Sequence, residues 1–214
     1  MIDRLVQLLQ EKSAQLNLFS AGDRLKLAEK HIPDALAVFD FWEIRPGQKI
    51  LDIGTGGGLP GLALAAKMPN IPFRLVDARE KKVKAVQEVA DALGLENVKT
   101  AAERFEVLAH KAGYRKQFDV VTARAVAPLP VLLEYASGFL RVGGRLYAWK
   151  GPEYKSELET SQKAQKILGL FFEEAHAYEL PGGEERFILS FVQKGDLPPE
   201  YPRSDGVPKS KPLC

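Results

Sequence analysis

The chain has a single cysteine, Cys214, among its 214 residues. That excludes an intramolecular disulfide and a cysteine-rich metal centre, and such cysteine use fits a reducing compartment, the cytoplasm. Histidines are also few. His31, His110 and His176 show no metal-ligand spacing, so no metal is expected. No apolar run approaches the ~18 residues needed to span a bilayer. The opening residues Met1-Ile2-Asp3-Arg4-Leu5 lack the basic-then-apolar pattern of a secretion leader, so no membrane association is expected. An excess of one charge is missing too. Thirty Lys and Arg stand against twenty-eight Asp and Glu, a net +2. This excludes a uniformly basic nucleic-acid coat, but not a local basic patch. No internal repeat is evident. The remaining composition, 45% hydrophobic and 27% charged, is that of a globular protein. The length suits roughly one domain with an appendage.

Three parts are expected. Residues 1–46 read as a helical extension, with Ile2, Leu5, Val6, Leu8, Leu9 and Leu16 at near-helical spacing and, because of Pro33, a break or helix start expected near His31. Residues 47–194 alternate short apolar runs with helical stretches. The expected strands are 49–54, 73–77, 98–102, 118–123 and 145–149. The expected helices are 59–67, 81–93, 103–112, 129–140 and 153–168, with Gly143-Gly144 as a turn. That alternation predicts a parallel sheet covered by helices on both faces. Two further strands, 171–180 and 186–192, flank Pro181-Gly182-Gly183 and predict a terminal antiparallel hairpin. The expected fold is therefore α/β and Rossmann-like, with a mostly parallel seven-stranded sheet. Residues 195–214 are proline-rich and read as a strap.

Asp52-Ile53-Gly54-Thr55-Gly56-Gly57-Gly58-Leu59-Pro60-Gly61 joins the first strand to the first helix. Four glycines in five positions weaken a turn unless something needs the backbone close. Gly56, Gly58 and Gly61 satisfy G-x-G-x-x-G, and Asp77 follows Gly58 by nineteen residues, so a dinucleotide site is allowed. An acid at Asp52 suits a ligand ammonium group better than a pyrophosphate. Asp77 at the end of the second strand can accept two ribose hydroxyls. Asp52, Gly54, Gly56 and Asp77 together suit S-adenosylmethionine, a cationic ribose-bearing ligand.

Several segments resemble the glucose-inhibited division protein B family of small-subunit rRNA guanine-N7 methyltransferases. They are Leu16-Asn17-Leu18, His31 to Leu36, Asp52 to Gly61 with its Leu59-Pro60-Gly61, Arg79-Glu80-Lys81-Lys82-Val83, Arg104-Phe105-Glu106, Thr122 to Leu129, Lys150-Gly151-Pro152, and Tyr201-Pro202-Arg203 through Cys214. The resemblance implies a class I methyltransferase fold and S-adenosylmethionine as cofactor. It implies Gly54 and Leu59 on the methionine and ribose side, Phe105 and Glu106 beside the adenine, and Arg124 at the mouth where cofactor and substrate meet. The implied reaction methylates N7 of one guanine in the decoding region of 16S rRNA.

Guanine N7 carries a free lone pair on the major-groove edge. Attack by it needs no general base, and catalysis would rest on alignment. Arg124 is the expected catalytic residue, orienting the guanine or the cofactor carboxylate. The alternative for it is a structural ion pair with Asp119 or another acid. His31 and Asp34 are expected to cap a helix and hydrogen-bond locally, the alternative being a role behind the site or facing the RNA. Trp42 and Trp149 are expected in the core. Lys150 and Arg203 are the expected contacts to the rRNA or ribosomal particle. The chain is expected to act as a monomer. Two other readings stay open at this point, an NAD-dependent oxidoreductase and a non-catalytic ribosome-binding module with a vestigial cofactor site.

Overall fold

A computed structural model describes residues 1–42 and 45–214. The lead-in begins with α1 (Ile2–Leu16), which ends at Asn17 in the left-handed conformation. α2 (Ala21–Leu25) is capped by Ser20, whose Oγ accepts from the Asp23 amide. A π-turn (Leu27–His31) then runs into α3 (Ile32–Leu36) and a 3₁₀ turn (Ala37–Asp40). Pro33 causes no gap here. It has no N–H to donate to the preceding turn, and the helix widens so that the His31 amide donates to the Lys26 carbonyl, five residues back.

The body contains β1 (Ile50–Ile53), α4 (Gly61–Lys67), β2 (Phe73–Asp77), α5 (Glu80–Ala92), β3 (Val98–Ala102), α6 (Phe105–Leu108) and β4 (Phe118–Arg124). It continues with α7 (Leu129–Ser137), β5 (Leu140–Lys150), α8 (Tyr154–Thr160), α9 (Gln162–Leu168), β6 (Leu170–Leu180) and β7 (Glu184–Gln193), and the strap adds α10 (Val207–Ser210). One seven-stranded sheet has the order β3-β2-β1-β4-β5-β7-β6. β1 to β5 pair in parallel, whereas β7 is antiparallel to both β5 and β6. The expected mixed sheet with a terminal hairpin is therefore present.

Strand alternation sorts the core onto two faces. Ile50 joins Leu5, Leu9, Leu62, Leu75 and Val86 under α1, α4 and α5. Leu51 and Ile53 join Leu129, Leu133, Phe139 and Phe191 under α7 and α9. Trp42 and Trp149 are both buried in the first of these clusters. The lead-in is tied down by core residues and by Lys12, which meets Glu88 of α5 at 2.5 Å. Among the described residues no helix is long and apolar enough to cross a membrane.

Three element boundaries differ from expectation. Gly143-Gly144 is not a free turn but lies within β5, where pairing with β4 shifts register. A Cβ on Gly144 would stand 2.9–3.1 Å from the carbonyl oxygens of Arg141, Phe118 and Asp119, so only glycine admits that backbone contact. The helix expected over 103–112 is a single turn, α6. The helix expected over 153–168 breaks at buried Ser161, whose Oγ donates to the Leu158 carbonyl and accepts from Gln165.

Candidate active site

The carboxyl edge of the sheet carries the site, as open parallel sheets require. Gly54, Gly56 and Gly58 all have φ between +55° and +97°, a region that side chains disfavour. A Cβ on Gly54 would stand 2.6 Å from Val126, whereas one on Gly56 would meet nothing nearer than 3.7 Å. The Gly56 backbone therefore faces open space. Gly57 is shielded by a residue of the lead-in: a Cβ there would stand 2.5 Å from the Phe19 ring.

Asp52 lies beneath this loop with no exposed surface. Its Oδ1 accepts from the Thr122 hydroxyl at 2.7 Å, and its Oδ2 accepts from the Gly61 amide at 3.3 Å. Burial pushes its pKa up to about 6, against the downward pull of Thr122, Thr55 and Gly61. The Thr55 hydroxyl is buried and makes no hydrogen bond of ordinary geometry. The sequence reading expected Asp52 to pair directly with a ligand ammonium. Both carboxylate oxygens point into the protein, and the residue braces the loop from below.

Asp77 ends β2 and is half-buried. Its Oδ2 accepts from the Gly56 amide at 3.0 Å and its Oδ1 from the Arg79 amide at 2.9 Å. A carboxylate has about four acceptor positions, so two remain for a diol. Beyond it, Ala78, Arg79, Glu80, Ala102, Glu103 and Arg104 line a cleft of about 620 Å³. Phe105 is half-buried with its ring edge against Tyr135, the centroids 5.2 Å apart. The Glu106 side chain is buried and turned away from this cleft. Its Oε1 accepts from the Gly206 amide at 3.0 Å. Any contact of Glu106 with a base in the cleft therefore falls to its backbone. Leu59 is buried in the core rather than exposed along the loop.

Arg124 ends β4 and lines a second cleft of about 610 Å³. Its Nη1 donates to Asp34 Oδ2 at 2.6 Å and to the His31 carbonyl at 3.3 Å, and its Nη2 faces His31 Nδ1 at 3.2 Å. Asp34 Oδ1 accepts from the Tyr178 hydroxyl at 2.5 Å, and the Asp34 carbonyl accepts from Trp149 Nε1 at 2.7 Å. Burial and then Arg124 lower the His31 pKa. A neutral ring fits the geometry, with Nδ1 accepting from Arg124 and Nε2–H donating to Asp23 at 3.2 Å. Burial and the Asp34 carboxylate push the Tyr178 phenol well above its usual range, so it remains a donor.

The sequence reading missed this network. His31 and Asp34 do not cap locally. They reach across the chain to hold Arg124, and the acid beside Arg124 is Asp34 rather than Asp119, which pairs with Arg141 at 2.6 Å. The two expected RNA contacts, Lys150 and Arg203, are each paired with an acid within the chain. Lys150 Nζ meets Glu157 at 2.6 Å and the Ala127 carbonyl at 3.0 Å, and its side chain is 11% exposed. Arg203 grips Glu134, a fully buried acid, through Nε at 2.9 Å and Nη2 at 2.6 Å. Of the two acids, Glu134 is fully buried and Glu157 is partly exposed. Among the described residues, no group of His, Cys, Asp or Glu could hold a metal ion.

The family model described as "GidB: rRNA small subunit methyltransferase G" matches residues 1–185. The ribosomal RNA small subunit methyltransferase G of Deinococcus deserti is 40% identical over 210 residues, covering 98% of this chain and 86% of that one. The protein of the same name from Moorella thermoacetica is 36% identical over 214 residues, covering 100% and 89%. Among solved structures, a TehB-like SAM-dependent methyltransferase from Corynebacterium glutamicum superposes with a TM-score of 0.58 at 18% identity. It covers 86% of this chain and 98% of that one, a likeness of fold alone.

Proposed function

The chain belongs to the rRNA small subunit methyltransferase G family, and from that premise we propose that it moves the methyl group of S-adenosylmethionine onto N7 of one guanine in the decoding region of small-subunit rRNA. It is an S-adenosylmethionine-dependent methyltransferase, and small-subunit rRNA is its substrate class. The observation that carries the cofactor assignment is the loop: three left-handed glycines braced by Asp52, with the Gly56 backbone open and tied to Asp77.

The residues present fit this cofactor. Gly56 leaves room for close approach while Gly54 packs against Val126, Asp77 retains acceptors for two hydroxyls, and the 620 Å³ cleft beyond it receives the base. When bound, the cofactor supplies a methyl group on a sulfonium, open to in-line displacement. Phe105 and the Glu106 backbone flank the adenine, and Leu59 stiffens the loop from the core. Arg124 spends three of its five N–H donors on Asp34 and His31. The remaining donors orient the guanine through O6 and leave the N7 lone pair free. No proton must leave N7, so Arg124 serves by alignment and not as a base. Lys30 and Arg186, which share Glu184 at the rim of the 610 Å³ cleft, are the cations best placed for the RNA backbone.

The lead-in 1–46 and the strap 195–214 serve the domain at 47–194, and the chain acts as a cytoplasmic monomer. The oxidoreductase and ribosome-binding-module readings are not favoured. Every relative cited above carries a methyltransferase name, and the antiparallel β7 departs from the dinucleotide-binding sheet. The test is mass mapping of small-subunit rRNA, free and in assembled subunits, after incubation with labelled cofactor. One labelled guanine that behaves as the N7-methyl derivative is expected. Absence of label from every guanine in both substrates would sink the proposal.

A further inference from the structure

The strap is fastened far more firmly than a proline-rich tail requires. Arg203 holds the buried Glu134 through its backbone amide at 2.8 Å as well as its side chain. Arg115 donates to the carbonyls of Tyr201 at 2.9 Å and Pro198 at 3.3 Å. His110 Nε2 meets the Pro202 carbonyl at 2.9 Å. Pro202 lies so close to Gly138 that a Cβ there would stand 2.8 Å from its ring.

These anchors deliver the next residues to one place. Gly206, at φ +76°, turns its amide onto Glu106 Oε1 at 3.0 Å. Asp205 meets Arg104 at 3.1 Å. Arg104 lines the 620 Å³ cleft, and Glu106 sits in the first turn of α6 just behind it. The Tyr135 phenol faces the same Glu106 carboxylate, while its ring supports Phe105. A one-turn helix has little stability of its own, so its orientation depends on what its side chains grip.

We propose that the strap braces the cofactor cleft from behind, with Asp205 and Gly206 as positioning residues that hold Arg104 and Glu106 where the base end of S-adenosylmethionine is received. This rests on the function proposed above. The strap touches no reacting atom. Its effect is on cofactor affinity, which is read separately from the KM for RNA.

The test is calorimetric binding of S-adenosylmethionine to the full chain, alongside steady-state methylation of small subunits. Glu106→Ala strands the Gly206 amide and should weaken cofactor binding about tenfold, which corresponds to ~1.4 kcal/mol, with the KM for RNA within twofold of wild type. Glu106→Gln keeps an acceptor and should restore binding to within about threefold. Asp205→Ala removes only an exposed pair, leaves the fold intact, and should weaken cofactor binding about threefold. Wild-type cofactor affinity in both alanine variants, with or without a lowered melting temperature, overturns the proposal. So does a rise in the KM for RNA at unchanged cofactor affinity. A wild-type chain that fails to bind S-adenosylmethionine at all overturns the methyltransferase reading itself, and this proposal with it.

Discussion

Arg124 and Asp34 meet at 2.6 Å although ninety positions separate them in the chain. One lies at the end of β4 and the other in α3 of the lead-in, so the pair fastens the lead-in to the strand end that carries the substrate cleft. Their side chains are 15% and 12% exposed. Removing one partner from so sheltered a pair leaves an uncompensated charge.

Asp34→Ala should therefore lower the unfolding free energy by about 3 kcal/mol and reduce kcat at least tenfold as Arg124 loses its orientation. Tyr178→Phe removes one hydrogen bond to the same carboxylate and should cost about 1 kcal/mol. Urea unfolding and single-turnover methylation measure the two effects. Arg124→Lys, which keeps the charge but not the fork, should reduce kcat almost as much as Arg124→Ala.

His31 titrates on the acid side of this network, facing Arg124, Asp23 and Asp34. Its folded pKa is lowered, so its contribution to stability is fully present above the unfolded value near 6.5 and is lost as pH falls below it. Protonation also removes the acceptor for Arg124 Nη2. The pH–rate profile should show an acid limb that is absent in His31→Gln. An unchanged limb in that variant counts against the assignment.

Asp52 has the opposite sign. Its folded pKa is raised to about 6, so the stability linked to its protonated form is present below about pH 4 and lost as pH rises through 6. Between pH 5 and pH 8 this group alone should cost the wild type about 1 kcal/mol. In Asp52→Asn that part of the slope should vanish, as read from urea midpoints at the two pH values.

Gly57 and Phe19 offer a steric test. Gly57→Ala places a methyl group 2.5 Å from the Phe19 ring and should weaken S-adenosylmethionine binding by distorting the loop. Adding Phe19→Ala should restore much of the affinity. Failure of the double variant to recover would show that the clash is not the cause.

Arg203→Ala should destabilise the chain by about 3 kcal/mol, since Glu134 is fully buried. The salt slope of RNA binding should stay at the wild-type value. A phosphate-contacting arginine would reduce that slope by about one unit.

The strands were legible in the sequence because each is a short apolar run bounded by turn residues, and the loop because four crowded glycines have few other uses. The hairpin followed from Pro181-Gly182-Gly183. The partners of Arg124 were not legible: His31 and Asp34 have a ready local explanation as capping residues, and Tyr178 lies 144 positions from Asp34 with nothing to mark it. The partner of Arg203 was not legible for a similar reason, since a basic residue in a polar tail looks free. One signal did exist. Glu134 interrupts the apolar run Leu129-Pro130-Val131-Leu132-Leu133, and an acid in such a helix needs a cation from elsewhere. The loss of free charge at Lys150 and Arg203 also changes the meaning of the net +2. Lys150 and Arg203 each have an acid of their own, whereas Lys30 and Arg186 share the single Glu184 at the rim of the cleft.

The π-turn at Leu27–His31 sets how this chain can vary. A helical turn holds 3.6 residues, so one residue more or less rotates everything beyond it by about 100°. The widened turn fixes the phase at which His31 and Asp34 face Arg124. Side chains on the outer surface of the lead-in can drift freely, but its length between Leu27 and Asp34 cannot. Insertions and deletions, well tolerated in most surface helices, should be as damaging here as loss of the arginine itself.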